Sequence, residues 1–215
     1  MKRGVALSGD GITGAAAIGV LTALQDLGIP VDVLSGSGSA ALPAVLYCAK
    51  KQRDDRRARL YTACRMIQKN STFRTFRPGY RRLRRELDQC KALDVRDLEI
   101  PCAVVQTLEN GKKSCIAAPL PAMDCPKLTV LPDADLADFI HKSLWEKNRK
   151  QSDLWEDSGR LTWPLMQMGA EQVLFIRTQG RDCLMSPEET RRKNVLEIPV
   201  FSQQARCAED WQKAG

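Results

Sequence analysis

Apolar runs, small-residue turns and amphipathic stretches follow one another in the N-terminal part of the chain. Residues 3–8, RGVALS, and residues 31–36, VDVLSG, have the pattern of short buried strands. A glycine-rich turn and an apolar-periodic helix follow each strand, and the first helix is predicted to end at Gly28, a suitable C-cap. The second helix is predicted within residues 36–51. Two strand–turn–helix units in succession predict a parallel sheet covered by helices.

The pattern is less regular after residue 50. Residues 50–91 predict helical segments that are interrupted at residues 77–80, RPGY, and a strand is expected at residues 100–108. The remaining predicted elements are, in order, a turn at Asn110-Gly111, a strand at 113–118, a proline-rich loop at 119–133, a helix at 133–145, a turn at 156–160, a helix or irregular link at 163–170 and a strand at 171–178.

Length and composition favour one globular α/β domain over residues 1–215. The chain has 215 residues, of which 43% are hydrophobic, enough for a sizeable core. No apolar stretch of signal-peptide length follows the basic start, and the longest apolar run, residues 15–21, is too short to cross a bilayer. We therefore expect a cytoplasmic protein.

Cysteine and histidine usage limits the chemistry. The eight cysteines show no C-x-x-C and no regular spacing, so we expect buried reduced thiols rather than a zinc site or a disulfide framework. His141 is the single histidine, and it lies in a helix-like stretch where a packing or surface role is expected. A catalytic mechanism that needs histidine could use only this residue.

Positive charge is concentrated in the middle of the chain. Residues 50–91 contain 15 Lys or Arg and four Asp or Glu, whereas the net charge of the whole chain is +7. Such a segment attracts an anionic membrane surface or another acidic partner, although solvated helix faces can have the same composition. We expect no nucleic-acid partner, and the sequence does not indicate an oligomeric state.

The first turn contains the pattern G-x-G-x-x-G at Gly9, Gly11 and Gly14. A dinucleotide site would also need an acidic residue near the end of the second strand, but Asp32 stands at its beginning and Asp10 lies inside the turn itself. We therefore predict no cofactor and no metal, and interpret the turn as a set of backbone donors for another anionic oxygen.

The second turn, within VLSGSGSAAL, stands where an α/β hydrolase has its strand-to-helix nucleophile elbow. Together, the two turns of LSGDGITGAAAIGVLTALQDLGIPVDVLSGSGSAALPAVLY resemble those of the patatin-like phospholipase family, in which a glycine-rich oxyanion loop, G-G-G-x-[RK]-G, precedes a G-x-S-x-G elbow. The segment LWEDSGRLTWPLMQMGAEQVLFI is similar to the family's D-G-[GA] segment and the strand that follows. The resemblance implies a three-layer α/β sandwich with a mainly parallel sheet and hydrolysis of lipid acyl esters by a Ser-Asp dyad.

The resemblance also implies particular site residues. The dyad aspartate would be Asp157, and a lipid or acyl ester would be the ligand. The elbow would be formed by Gly36, Gly38 and Ala40. The oxyanion loop would comprise the residues Gly9, Asp10, Gly11, Ile12 and Gly14.

The chain departs from the family pattern at the position of the nucleophile. Gly38 stands there, between Ser37 and Ser39, and a glycine has no hydroxyl that could attack an ester. Asp10 would oppose charge on an oxyanion, and Thr13 replaces the basic residue of the loop. We therefore expect an impaired or inactive acyl hydrolase.

Two alternatives stay open at this point. In the first, the chain is an active serine acyl hydrolase that uses Ser37 or Ser39 with Asp157. In the second, it is a non-enzymatic scaffold that binds lipid or a partner through the basic segment 50–91.

Overall fold

The computed structural model describes the positions of eight parts of the chain. They are residues 1–9, 11–50, 56–72, 79–107, 114–126, 128–145, 154–178 and 194–200. The predicted turn at Asn110-Gly111 and the first two residues of the predicted interruption at 77–80 lie outside these ranges. In segment 50–91, residues 51–55 and 73–78 are also outside them.

The described residues contain one mixed, mainly parallel β-sheet. Its strands are β1 (Arg3–Ser8), β2 (Val33–Ser37), β3 (Cys102–Thr107), β4 (Ser114–Ala117), β5 (Met123–Cys125), β6 (Leu128–Leu131), β7 (Gln172–Thr178) and β8 (Val195–Val200). The order across the sheet is β5-β6-β4-β3-β2-β1-β7-β8. Strands β3, β2, β1, β7 and β8 are parallel, whereas β4 is antiparallel to β3.

Helices cover both faces of this sheet. They are α1 (Ala16–Asp26), α2 (Ala41–Cys48), α3 (Arg56–Thr72), α4 (Gly79–Gln89), α5 (Leu136–Trp145) and α6 (Leu154–Gln167). Helices α1 to α5 contribute to the larger apolar core on one face, and α6 contributes Leu161 and Leu165 to the core on the other. The expected three-layer α/β architecture with a mainly parallel sheet is therefore confirmed.

The N-terminal predictions agree closely with the structure. Strand β1 has the predicted bounds, and β2 lies within two residues of its prediction. A 3-10 turn (Gly11–Ala15) precedes α1, and Gly28, just beyond the end of that helix, has φ +65°. This left-handed conformation suits a glycine that ends a helix.

Three predictions for the C-terminal half were incomplete or wrong. Residues 119–133 are not one loop, because β5 and β6 pair there, with the prolines of this region outside both strands. The predicted turn at 156–160 is part of the continuous helix α6, whose leucines at 161 and 165 pack on the sheet. Strand β8 was not anticipated.

Candidate active site

The second turn has the backbone geometry of an elbow. Ser37 ends β2 in an extended conformation, Gly38 has φ +57°, and Ala40 and Ala41 are already helical. The chain thus reverses from a strand into the start of α2 around one residue in the left-handed region. That region costs an L-residue roughly 1–2 kcal/mol, whereas glycine enters it freely.

Glycine is also required at the first elbow position, for a different reason. A Cβ atom on Gly36 would lie 2.8 Å from the Cα of Ala41 and 2.9 Å from the Cβ of Ala44. Both distances are shorter than a normal carbon contact. The absence of a side chain at residue 36 therefore lets α2 lie directly against β2. Ala40, at the last elbow position, is completely buried.

Ser39 connects the elbow to the glycine loop. The carbonyl oxygen of Gly9 accepts two hydrogen bonds from this residue, one from its backbone N–H at 2.7 Å and one from its hydroxyl at 3.0 Å. A Cβ on Gly14 would lie 2.2 Å from Ser39 Oγ and 2.7 Å from the backbone nitrogen of Ala40. Gly9 and Gly14 thus hold the first turn against the second.

The glycine loop also includes Asp10, Gly11 and Ile12. Gly11 and Ile12 begin the 3-10 turn that leads into α1, and the side chain of Ile12 lies outside the described part of the chain. Asp10 lies outside the described residues altogether. The 3-10 turn follows the carboxyl end of β1, and the elbow follows that of the adjacent β2. The two turns therefore meet at one edge of the sheet, which we call the carboxyl edge.

Ser37 and Ser39 occupy different environments. Both are buried, but Ser39 faces Gly9 and Gly14. Alternate residues of a strand point to the same face, so Ser37 shares a face with Ser35. The hydroxyl of Ser35 donates to the carbonyl oxygen of Leu161 at 2.8 Å, which identifies this face as the one that α6 covers.

The register of α6 on the sheet locates the backbone of Asp157. A Cβ on Gly4 would touch Leu165. Ser35 lies two residues nearer the carboxyl edge than the level of Gly4, and its hydroxyl bonds to the carbonyl of Leu161. Two strand residues span about 7 Å and four helix residues about 6 Å, so four residues of α6 correspond to two residues of the strand. Residue 157 is four residues before Leu161, and it therefore lies at the level of Ser37, which is two residues after Ser35. The side chain of Asp157 lies outside the description.

Ser35 is a residue that the sequence reasoning missed. Helix α6 contains Pro164, which has no N–H for the carbonyl of residue 160 one turn earlier. The Ser35 hydroxyl donates to the carbonyl of the next residue, Leu161, and therefore does not replace that missing donor. A polar residue within the apolar strand pattern of VDVLSG was the available signal, but the sequence did not indicate its partner.

The shifted pKa values of the described groups lie around the site rather than at its centre. Burial raises the pKa of the Cys48 thiol, which lies at the far end of α2 beside Cys102. A hydrogen bond to Asp138 raises the pKa of Tyr80 on α4. His141 packs against Tyr80 with the two rings edge to face and their centroids 5.3 Å apart, which agrees with the expected packing role.

The basic segment is tied to the elements that support the site. Helix α3 packs against the 3-10 turn Gly11–Ala15 and against α2. Helix α4 packs against α5, and α5 in turn packs against the 3-10 turn Gly38–Ala40 of the elbow. Within the described ranges, no group of three or more His, Cys, Asp or Glu could hold a metal ion. In the same ranges, no helix is long and apolar enough to span a membrane.

Comparison with solved structures shows the fold. The chain superposes on ExoU in the heterodimeric ExoU–SpcU complex from the type III secretion system of Pseudomonas aeruginosa with a TM-score of 0.59 at 13% identity. That match covers 100% of this chain and 49% of the other. A second structure, of the type III effector ExoU, gives a TM-score of 0.52 at 12% identity and covers 99% and 50% of the two chains.

Comparison of sequences shows the family. Neuropathy target esterase sws of Drosophila melanogaster is 46% identical over 48 residues, which are 22% of this chain and 3% of that protein. The protein of Drosophila persimilis is 44% identical over the same length. This chain therefore matches only a small part of those relatives. The family described as patatin-like phospholipase matches residues 5–158, well over half of the chain. The chain belongs to the patatin-like phospholipase family.

Proposed function

We propose that this chain keeps the lipid acyl-ester site of its family but has lost the nucleophile, so that it binds such esters and hydrolyses them poorly or not at all. The observation that carries the proposal is the φ of +57° at Gly38. This residue occupies the tip of the strand-to-helix turn, where a nucleophilic serine would project its hydroxyl. Glycine keeps the backbone of the elbow and removes the reacting atom.

The surrounding geometry supports an intact binding site. The Gly36 contact with α2 and the Gly9 contact with Ser39 hold the elbow and the glycine loop together without the missing side chain. We propose that the backbone N–H groups of Gly11 and Ile12, at the start of the 3-10 turn, face an ester carbonyl oxygen. The roles of Asp10 and Asp157, and the expected cytoplasmic location, stay predictions.

The test is hydrolysis of a short-chain p-nitrophenyl ester by the wild-type chain and two variants. Gly38→Ser places a hydroxyl at the elbow tip, and we expect it to raise turnover by at least about a hundredfold, the range that accurate placement of one reacting group controls. Gly38→Ala is the matched control, because it imposes the same backbone strain without a hydroxyl. Adding Asp157→Asn to Gly38→Ser should remove the gain.

Two outcomes would contradict the proposal. Equal activity in Gly38→Ser and Gly38→Ala would show that position 38 is not the nucleophile position. Substantial activity in the wild type would show that the reaction has not been lost.

A second candidate function is hydrolysis by Ser37 with Asp157. The favouring observation is the face of β2 on which Ser37 lies, since it is the face covered by the helix that carries Asp157. Ser39 is a weaker candidate because its hydroxyl donates to the Gly9 carbonyl. Under this alternative, Ser37→Ala abolishes wild-type turnover and Ser39→Ala leaves most of it. Turnover that survives Ser37→Ala would exclude the alternative.

A further inference from the structure

The arginines of α3 are largely engaged within the chain. Arg56 pairs with Glu99 at 3.5 Å, and Arg57 pairs with Asp26 at the end of α1. Arg59 is buried, and its guanidinium donates to the carbonyl oxygens of Ala49 and Lys50, each at 3.0 Å. These contacts attach α3 to the rest of the fold, so much of its charge is not available to an external partner.

Helix α4 has a different arrangement. Its apolar side is formed by Leu83 and Leu87, both buried. Its opposite side carries Arg81, Arg82 and Arg85, all exposed, which we call the arginine face. Among the described residues no carboxylate pairs with these three side chains, whereas Arg84 pairs with Asp135 at 2.7 Å.

The packing of α4 on α5 determines near which edge of the sheet α4 begins. Strand β6 runs away from the carboxyl edge, because it is parallel to β4 and β4 is antiparallel to β3. Helix α5 follows β6 and runs back to the elbow. Tyr80 contacts His141 late in α5, and Arg84 contacts Asp135 just before α5. The two helices are therefore antiparallel, and the first turn of α4 lies toward the carboxyl edge.

Two of these arginines lie where they do not stabilise α4. The first turn of α4 holds Arg81 and Arg82 and no acidic residue. Positive charge at a helix N-terminus opposes the macrodipole, so these side chains reduce rather than support helix stability. A guanidinium, however, binds a phosphate through two parallel hydrogen bonds. The charge on this face is therefore suited to an anionic partner.

We propose that the arginine face docks this chain on an anionic lipid bilayer, with the carboxyl edge of the sheet turned toward the lipid. The inference rests on the proposed lipid acyl-ester site, because that site lies at the same edge. The net negative charge of the anionic headgroups supplies the attraction, and the guanidinium groups pair with those headgroups at the bilayer surface. The docking surface is thus one side of α4 rather than the whole of segment 50–91.

The experiment is co-sedimentation of the full chain with vesicles. One set is phosphatidylcholine alone, and the other is an equimolar mixture of phosphatidylcholine and phosphatidylserine. We expect binding only to the mixed vesicles, and weaker binding as salt is raised. Arg81→Gln with Arg82→Gln should weaken binding to the mixed vesicles about twenty-five-fold, at about fivefold for each arginine near the surface.

The matched control removes the same charge from the opposite edge of the sheet. Arg3→Gln with Lys91→Asn changes two exposed residues there, and asparagine suits the φ of +52° at residue 91. This control should bind the mixed vesicles as the wild type does. Vesicle binding requires no turnover and the ester assay requires no bilayer, so failure of this inference is distinguishable from failure of the proposed function.

Three results would overturn the inference. The first is equal binding to both kinds of vesicle, and the second is equal loss of binding in the variant and the control. The third is an interaction with duplex DNA that depends on Arg81 and Arg82 while the mixed vesicles are not bound. That result would assign the arginine face to nucleic acid.

Discussion

At the scale of single residues, the glycines around the elbow meet two different physical requirements. Gly38 needs a left-handed φ, and Gly36 and Gly14 need space, because their missing Cβ atoms would overlap neighbouring backbone. A serine at position 38 would cost stability through its φ, at roughly 1–2 kcal/mol. A glycine in place of a serine at position 38 therefore avoids this strain and also lacks the hydroxyl.

The space requirement at Gly14 can be tested by comparison with Gly28. Gly14→Ala places a methyl group against Ser39 Oγ and the backbone of residues 39 and 40, so we expect a loss of about 2–3 kcal/mol or more in the free energy of unfolding. Gly28→Ala meets nothing within 4 Å and changes only the preference for φ, so about 1–2 kcal/mol is expected. Urea denaturation of both variants checks the difference. Equal losses would show that the two turns are not in close contact.

At the scale of elements, the pair β7–β8 contains a buried ion pair. Arg177 Nε lies 2.7 Å from Glu197 Oε1, and the two side chains are only 4% and 8% exposed. The guanidinium also lies over the ring of Phe175, 5.6 Å from its centroid. The last strand of the sheet is thus joined to its neighbour by charge as well as by backbone hydrogen bonds.

Loss of the carboxylate should destabilise this part of the sheet. Glu197→Gln removes the negative charge that lies against the buried guanidinium, and we expect the free energy of unfolding to fall by more than about 2 kcal/mol. Glu99→Gln is the matched control, because it makes the same change at a carboxylate that is 41% exposed, with an expected effect below about 1 kcal/mol. Chemical denaturation measures both values. A small effect at Glu197 would mean that the pair contributes little to stability.

The sequence predicts elements well where local pattern and tertiary packing agree. Strands β1 and β2 are short apolar runs followed by glycine turns, and both are close to prediction. Strands β5 and β6 are missed because prolines nearby suggest a loop, although pairing between the strands decides the structure. Helix α6 is missed at 156–160 because Ser158 and Gly159 favour a turn, but burial of Leu161 and Leu165 outweighs the cost of a glycine in the helix, about 1 kcal/mol.

The same distinction applies to the site. The elbow and the glycine loop are visible in the sequence because each is a local pattern of small residues. The hydrogen bonds that Ser39 donates to Gly9 and Ser35 donates to Leu161 join segments that are far apart in the chain. No pattern within either segment indicates these contacts, so the different environments of Ser37 and Ser39 emerge only from the fold.

At the scale of the whole molecule, the core can be probed through its thiols. Cys48 and Cys102 are completely buried where α2 and β3 meet, and burial raises the pKa of Cys48. Because the thiolate is the reactive form, a raised pKa keeps this thiol protonated and unreactive at about pH 8. In the native chain we expect iodoacetamide to label the partly exposed Cys90 before Cys48 and Cys102, which should react only as fast as the core opens.

Mass spectrometry of the labelled peptides checks this order. In urea all three cysteines should react at similar rates, which serves as the control. Labelling of Cys48 in the native chain as fast as that of Cys90 would show that the packing of α2 on the sheet opens locally.

The double hydrogen bond to the Gly9 carbonyl has a mechanical consequence. It ties the end of β1 to the first residues before α2, so the glycine loop and the elbow belong to one rigid body. An opening motion of the loop alone would have to break both bonds and separate Gly14 from Ser39. Under the proposed function, the glycine loop and the elbow together form a fixed floor on which an acyl ester is bound.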